Sequence, residues 1–271
     1  MRKVNRIFTI LVFFFLYVPM IVLAVASFNK GTDIAVFQGF TLNQYTELVR
    51  DDNLLRLLGN SLIIAVISSA VATVLGTVAS VGIHSMRGKL RSAVMGLTNI
   101  PMTNPDIVTG VSLALLFAFV GVLLRINSVL GFWTLLIAHI TFSLPYIILN
   151  VMPKLAQMDP DLTEAALDLG CTPTQAFFKV VLHEIMPGII SGALMAFTMS
   201  LDDFVISYFV TGSGFVTLPV EIYSYTKKPI QPKVYAMFTL MFVAILLLMV
   251  TMNLLQARDT SRRLRRKEAR R

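Results

Sequence analysis

Charge and sulfur are both scarce in this chain of 271 residues. Only 14% of its residues are charged, against about 25% in ordinary soluble domains. Mean hydropathy is +0.75. A soluble fold of this length needs far more polar surface than that, which argues against soluble-enzyme and disordered readings alike. The single cysteine, Cys171, leaves no partner for an intrachain disulfide and rules out a thiolate metal cluster. No G-x-x-x-x-G-K-[ST] loop is present. Gly88-Lys89 is followed by Leu90, so the chain has no phosphate cradle of its own. Ser/His/Asp and H-E-x-x-H constellations are missing too. The sequence therefore offers no catalytic residue, no metal site and no cofactor site.

Basic residues are not scarce, but they are concentrated. Net charge is +8, and residues 258–271 hold eight Arg or Lys against Asp259 and Glu268, which makes +6 in that stretch alone. The pI of 9.8 thus describes a tail rather than a nucleic-acid-binding surface. The expectation is a basic cytoplasmic tail, 258–271, lying against anionic membrane lipid, behind a transmembrane domain over 1–257.

What the sequence has in abundance is long apolar runs. A membrane helix needs about 20 such residues. Candidates are 7–29, 61–83, 107–124, 126–153, 187–211 and 234–257, which predicts an all-α membrane protein of six transmembrane helices. The first run follows Arg2, Lys3 and Arg6 and resembles a signal peptide, but it exceeds the usual 7–15-residue signal core and is read as a retained helix. With the N-terminus inside, 16 of the 23 Lys and Arg fall on inside segments. The positive-inside rule then puts both termini in the cytoplasm. In the second span, Ala72, Gly76 and Ser80, and likewise Ser69, Thr73 and Thr77, make small-residue faces suited to close helix packing.

Acidic residues interrupt the apolar pattern at two places. Between Arg91 and Arg125 lie 33 residues, roughly 50 Å of helix and too long for one straight span. Asn104-Pro105-Asp106 supplies an N-cap, a first helical proline and a first-turn acid. The expectation is a short helix, a break and a new helix, with Asp106 at the break. Asp202 and Asp203 sit inside the fifth span, flanked by Ser200 and Ser207. A carboxylate at the membrane centre costs about 2.5–3.5 kcal/mol on the lenient scale, so these acids are read as a cation pathway, with a polar network of Ser, Thr and Asn, or protonation of the acids, as the bland alternative. His139 in the fourth span reads as a packed hydrogen-bonding residue. Trp133 and Tyr17 read as interfacial aromatics. Tyr223 and Tyr225 are candidates for a partner surface or a cation's path.

The most specific segment is the inside loop over about 159–182. Asp159 and Pro160 start a helix, Gly170 suits a left-handed end, and Thr172-Pro173 start a second helix. The result is an amphipathic hairpin with Leu162, Ala165 and Ala166 as an exposed apolar ridge.

The spacing in this hairpin resembles the EAA loop of ABC-importer permeases. Glu164, Ala165, Ala166, Gly170, Val180 and Leu182 match it in register, and His183 replaces the family's usual Pro. Pro105-Asp106-Ile107-Val108, the stretch from His139 to Pro145, Leu201-Asp202-Asp203-Phe204 through Gly212, and Leu218-Pro219 resemble the PotC-type permeases of spermidine/putrescine importers. The resemblance covers essentially the whole chain. It implies a MetI-like ABC permease fold in a bacterial inner membrane. It also implies a second permease subunit, two cytoplasmic ATPase copies that bind the ATP, and an external polyamine-binding protein. Glu164, Ala165, Ala166 and Gly170 would couple to the ATPase. Asp106, Asp202 and Asp203 would line the substrate pathway. Two rivals stay open: the same machine for ferric iron, opines or an anion, the last disfavoured by the buried negative charge, and a membrane receptor or scaffold with a docking hairpin.

Overall fold

The computed structural model describes residues 2–31, 36–126, 129–212, 214–226, 232–247 and 250–251. Helices dominate the described residues. They are α1 (Arg2–Ser27), α2 (Asn43–Arg50), α3 (Asp52–Ser85), α4 (Gly88–Thr103), α5 (Asp106–Leu124) and α6 (Phe132–Gln157), followed by α7 (Asp161–Asp168) and α8 (Pro173–Ala176). A π-helical turn over Phe177–Val181 joins α8 to α9 (Leu182–Asp202). Then come α10 (Val205–Val210), α11 (Leu218–Thr226) and α12 (Pro232–Leu247). Extended pairing among the described residues is limited to two isolated bridges, Asn29 with Phe40 and Gly212 with Phe215.

Among the described residues, five helical stretches are long and apolar enough to cross a membrane: Arg6–Ser27, Asp52–Ser85, Asp106–Leu124, Phe132–Gln157 and Pro173–Asp202. The apolar α12 is shorter, and residues 248, 249 and 252–257 of the sixth expected span lie outside the described residues, as does the basic tail. The fifth span departs from expectation. Its helix is continuous from Pro173, stops at Asp202 and restarts at Val205, rather than running from 187 to 211. The break falls on the two acids.

The chain folds as two compact units. One contains Leu57–Ser224. Its core is built where α6 meets α3 and α9, around Ala72, Ile147, Val151, Ile185 and Ala196, and where α6 meets α5 and α10, around Phe117, Leu135, Ile206 and Val210. The small residues expected to permit close packing do so. A Cβ on Gly76 would lie 2.7 Å from Ile147 Cγ2, and Ala72 and Ser80 are fully buried on the same stripe. On α9, a Cβ at Gly188 would meet the Asn150 carbonyl oxygen at 2.7 Å, and one at Gly192 would meet Ile147 Cα at 3.1 Å. Two glycines four residues apart thus let α6 and α9 approach backbone to backbone, the arrangement that substitutes for a hydrophobic driving force in lipid.

The other unit holds residues up to Arg56 and from Tyr225 onward. Phe28 stacks on Phe40 at 5.3 Å, and Ser27 Oγ lies 2.8 Å from the Tyr45 hydroxyl. Asn29 Oδ1 accepts from the backbone N–H of Gln38 and Gly31, which closes the loop before α2. Asp51 Oδ1 accepts from the N–H groups of Asn53 and Leu54, capping α3, while Oδ2 pairs with Lys233 Nζ at 2.7 Å. That pair joins the two segments expected outside the membrane, and it holds the Asp51 carboxyl below the usual carboxylate range. Trp133 and Tyr17 are exposed.

Candidate functional site

The break between α4 and α5 forms as the sequence predicts, with one difference. Pro105, rather than Asn104, occupies the cap position, and its carbonyl accepts from Val108 and Thr109. The Asn104 amide instead donates to Thr109 Oγ1 at 3.4 Å. Asp106 falls in the first turn, where a negative charge complements the helix N-terminus.

The break between α9 and α10 is made by Asp203. Its Oδ2 accepts from Ser207 N and Ser207 Oγ, both at 2.7 Å, and its Oδ1 accepts from Ile206 N at 3.3 Å. The carboxylate therefore satisfies the first N–H groups of α10 that no helical carbonyl can reach. Gly110 of α5 packs against this restart, since a Cβ there would sit 3.3 Å from Ile206 Cα. The two breaks face one another. Asp106, Asp202 and Asp203 line a single cavity of about 600 Å³ together with Asn104, Tyr146 and Phe204. None of the described residues lining it is basic. Asp202 is exposed at the end of α9, whereas the side chain of Asp203 retains 10% of its accessible surface.

Behind the cavity lies a contact that the sequence did not disclose. His139 is completely buried, with Nδ1 2.6 Å from Ser200 Oγ and Nε2 2.9 Å from Ser207 Oγ. The expectation of a packed, hydrogen-bonded histidine holds, but its closeness to Asp203, 3.5 Å from Nε2 to Oδ2, is new. The seven-residue spacing of Ser200 and Ser207 about the acid pair was the available clue. Beside the cavity, Phe204 packs with Tyr223 at 4.5 Å and with Tyr208 at 5.6 Å.

The hairpin is built as its residues dictate. Asp159 Oδ1 accepts from Asp161 N. Gly170 has φ +86°. Its N–H reaches the Leu167 carbonyl at 2.9 Å, and Cys171 N reaches that of Ala166 at 3.0 Å, the paired bonds of a left-handed helix end. Thr172 and Gln175 cap each other's N–H groups at the start of α8. Glu164, Ala165 and Leu162 are exposed, and so are Leu169 and Phe178. Ala166 is the exception to the expected ridge. It is buried at 7% exposure, because α7 turns that face onto α8 and the π turn. The exposed apolar side chains of the hairpin therefore include Leu162, Ala165, Leu167, Leu169 and Phe178, with Asp161, Glu164 and Asp168 exposed among them.

A family described as "Binding-protein-dependent transport system inner membrane component" matches residues 72–262. The chain belongs to this family. It is the permease type of subunit, a multi-pass component of a bacterial inner membrane. It is 37% identical to the spermidine/putrescine transport system permease protein PotC of Haemophilus influenzae, over 93% of this chain and 96% of that one. It is 38% identical to the putrescine transport system permease protein PotI of Escherichia coli strain K12, over 93% and 90%. Among solved structures, a bacterial ABC transporter involved in import of the acidic polysaccharide alginate matches with TM-score 0.74 at 14% identity, covering 94% of this chain and 95% of that one. The MetNI methionine ABC transporter matches with TM-score 0.59 at 20% identity, covering 81% and 97%. These likenesses establish the MetI-like fold, and membership in a transport family excludes the receptor and scaffold reading.

Proposed function

We propose that this chain is the transmembrane subunit of an ATP-driven importer for polyamines of the spermidine and putrescine class. The observation that carries the reading is the cavity. Three acids chosen from the sequence line one chamber with no basic residue among the described residues of its wall. In a low-dielectric bundle, unopposed carboxylates lower the barrier for a polycation and raise it for an anion. Phe204 and its aromatic neighbours add a cation–π surface, worth about 0.5–2 kcal/mol per ammonium. Both relatives named above are polyamine permeases, which favours this substrate over ferric iron or an opine.

The chain works within a complex in this account. A second permease subunit completes the pathway, an external binding protein delivers substrate, and two copies of a cytoplasmic ATPase hydrolyse the ATP. The exposed ridge of the hairpin, with Glu164 and Ala165 on its surface and Ala166 and Gly170 shaping it, seats on the ATPase. Closure of the ATPase pushes the hairpin and shifts the bundle between inward- and outward-facing states. The test is uptake into vesicles carrying the complete complex, with labelled spermidine and putrescine. The expected result is ATP-dependent accumulation that unlabelled polyamine suppresses and ferric iron or opines do not. Accumulation of iron or an opine with polyamine left outside would replace the substrate assignment.

A further inference from the structure

The hydrogen bonds around His139 have a polarity that can be worked out from the donors available. Ser207 N can only donate, so Asp203 Oδ2 accepts from it. Both Asp203 oxygens accept from backbone N–H groups, Oδ1 from Ile206 and Oδ2 from Ser207, which favours the ionised carboxylate. Ser207 Oγ, 2.7 Å from Oδ2, then donates its one proton to it. Toward His139 Nε2, at 2.9 Å, Ser207 Oγ is then left only to accept. His139 therefore carries its proton on Nε2. Its Nδ1 accepts from Ser200, whose oxygen lies 3.0 Å from the Ser68 hydroxyl. The chain of donors runs from Ser200 of α9 through His139 of α6 to Ser207 of α10, and its protons point toward Asp203. A neutral imidazole satisfies each partner.

This direction has a consequence for the cavity. Asp203 receives three donors from the protein side, two on Oδ2 and one on Oδ1. The titratable groups that share its cavity are Asp106, Asp202 and Tyr146, and none of them brings positive charge. Donors, not a counter-ion, must hold a charge there. Hydrogen bonds to an ionised group are stronger than those to a neutral one, and a neutral acid would lose most of that gain.

We propose that His139 is a positioning residue which, by fixing the direction of the Ser207 hydroxyl, keeps Asp203 an ionised carboxylate presented to the cavity. What that charge serves rests on the polyamine reading; the charge itself does not. The reconstituted complex provides the test, through infrared difference spectra between each background and the same background carrying Asp203→Asn. The parent should show only ionised carboxylate bands for Asp203. Ser207→Ala and His139→Phe should each bring up a protonated carboxyl C=O band, whereas Ser207→Thr should keep the parent spectrum. A protonated band in the parent, or unchanged ionised bands in either Ser207→Ala or an assembled His139→Phe, would overturn the proposal. If His139→Phe fails to assemble, the Ser207→Ala and Ser207→Thr pair decides alone. In parallel, Ser207→Ala should slow polyamine uptake about tenfold, the loss of one hydrogen bond to a charged group. If Asp203→Asn itself transports at the parent rate, the pathway reading fails while the infrared result still judges His139. If Asp203→Asn is slow but neither Ser207→Ala nor His139→Phe changes spectrum or uptake, the positioning role fails and the pathway reading stands.

Discussion

Gly170 offers a prediction whose size follows from one dihedral angle. Its φ of +86° lies in the left-handed region, and a Cβ added there would meet nothing within 4 Å. Substitution therefore introduces no clash, and the whole cost is conformational. That cost is about 1–2 kcal/mol for an ordinary L-residue, more for a β-branched one and less for asparagine, whose side chain tolerates this region. A destabilisation of this size changes a population by roughly 5–30-fold. The helix end at Ala166–Cys171 would open, and Leu169 and Ala165 would lose their shared orientation. Activity should thus fall in the order Gly170, then Asn, then Ala, then Val. Uptake and transport-linked ATP hydrolysis in the assembled complex are the readouts, with membrane insertion of each variant as the control. A Val variant that inserts normally and transports as well as the Asn variant would refute the role given to the hairpin turn.

Other expectations test packing, electrostatics and topology. Gly188→Ala should destabilise the α6–α9 contact by about 1–3 kcal/mol, because the new methyl meets a backbone carbonyl at 2.7 Å; thermal unfolding in detergent reads this, and an unchanged midpoint contradicts the close approach. Glu164→Ala, which removes an exposed side chain, should lower uptake without lowering stability, and loss of both together would mark it as structural. The Asp51–Lys233 pair contributes about 0.2–1 kcal/mol. Because the folded Asp51 pKa is depressed, that contribution is present above the unfolded value of about 3.9 and lost as pH falls through the folded one. Acid unfolding of Asp51→Asn should therefore be less steep with pH, and identical profiles would remove the pair's role. Deleting residues 261–271 removes seven basic residues and leaves nine inside against seven outside, so the orientation should survive, as cysteine labelling of loops can check.

Much of this arrangement was legible because short-range rules set it. The α4–α5 break follows from Pro105, the hairpin from Asp159, Gly170 and the Thr172–Gln175 pair, and the α3–α6 contact from the small stripe at Ala72, Gly76 and Ser80. Elements whose form depends on tertiary partners were read less well. An apolar run predicts a span but not where it bends, so the end of α9 at Asp202 was missed even though the acids were singled out. Residue spacing on an isolated hairpin leaves Ala165 and Ala166 equivalent. Only the docking of α7 on the π turn separates them. The partnership of His139 with Ser200 and Ser207 links positions 61 and 68 residues apart, a separation at which no periodicity carries information.

The central claim is that acids in one cavity conduct a polycation, and charge removal tests it most directly. Asn keeps the size and hydrogen-bonding capacity of Asp while deleting its charge, and it leaves no buried carboxylate to stabilise. Asp106→Asn, Asp202→Asn and Asp203→Asn should be compared in vesicles carrying the whole complex, by initial rates of labelled spermidine and putrescine uptake per ATP hydrolysed. The account predicts that at least one variant assembles and hydrolyses ATP as the parent does, yet moves both polyamines about tenfold or more slowly. Parent-level uptake of both polyamines by all three variants would contradict it and return the acids to a structural role.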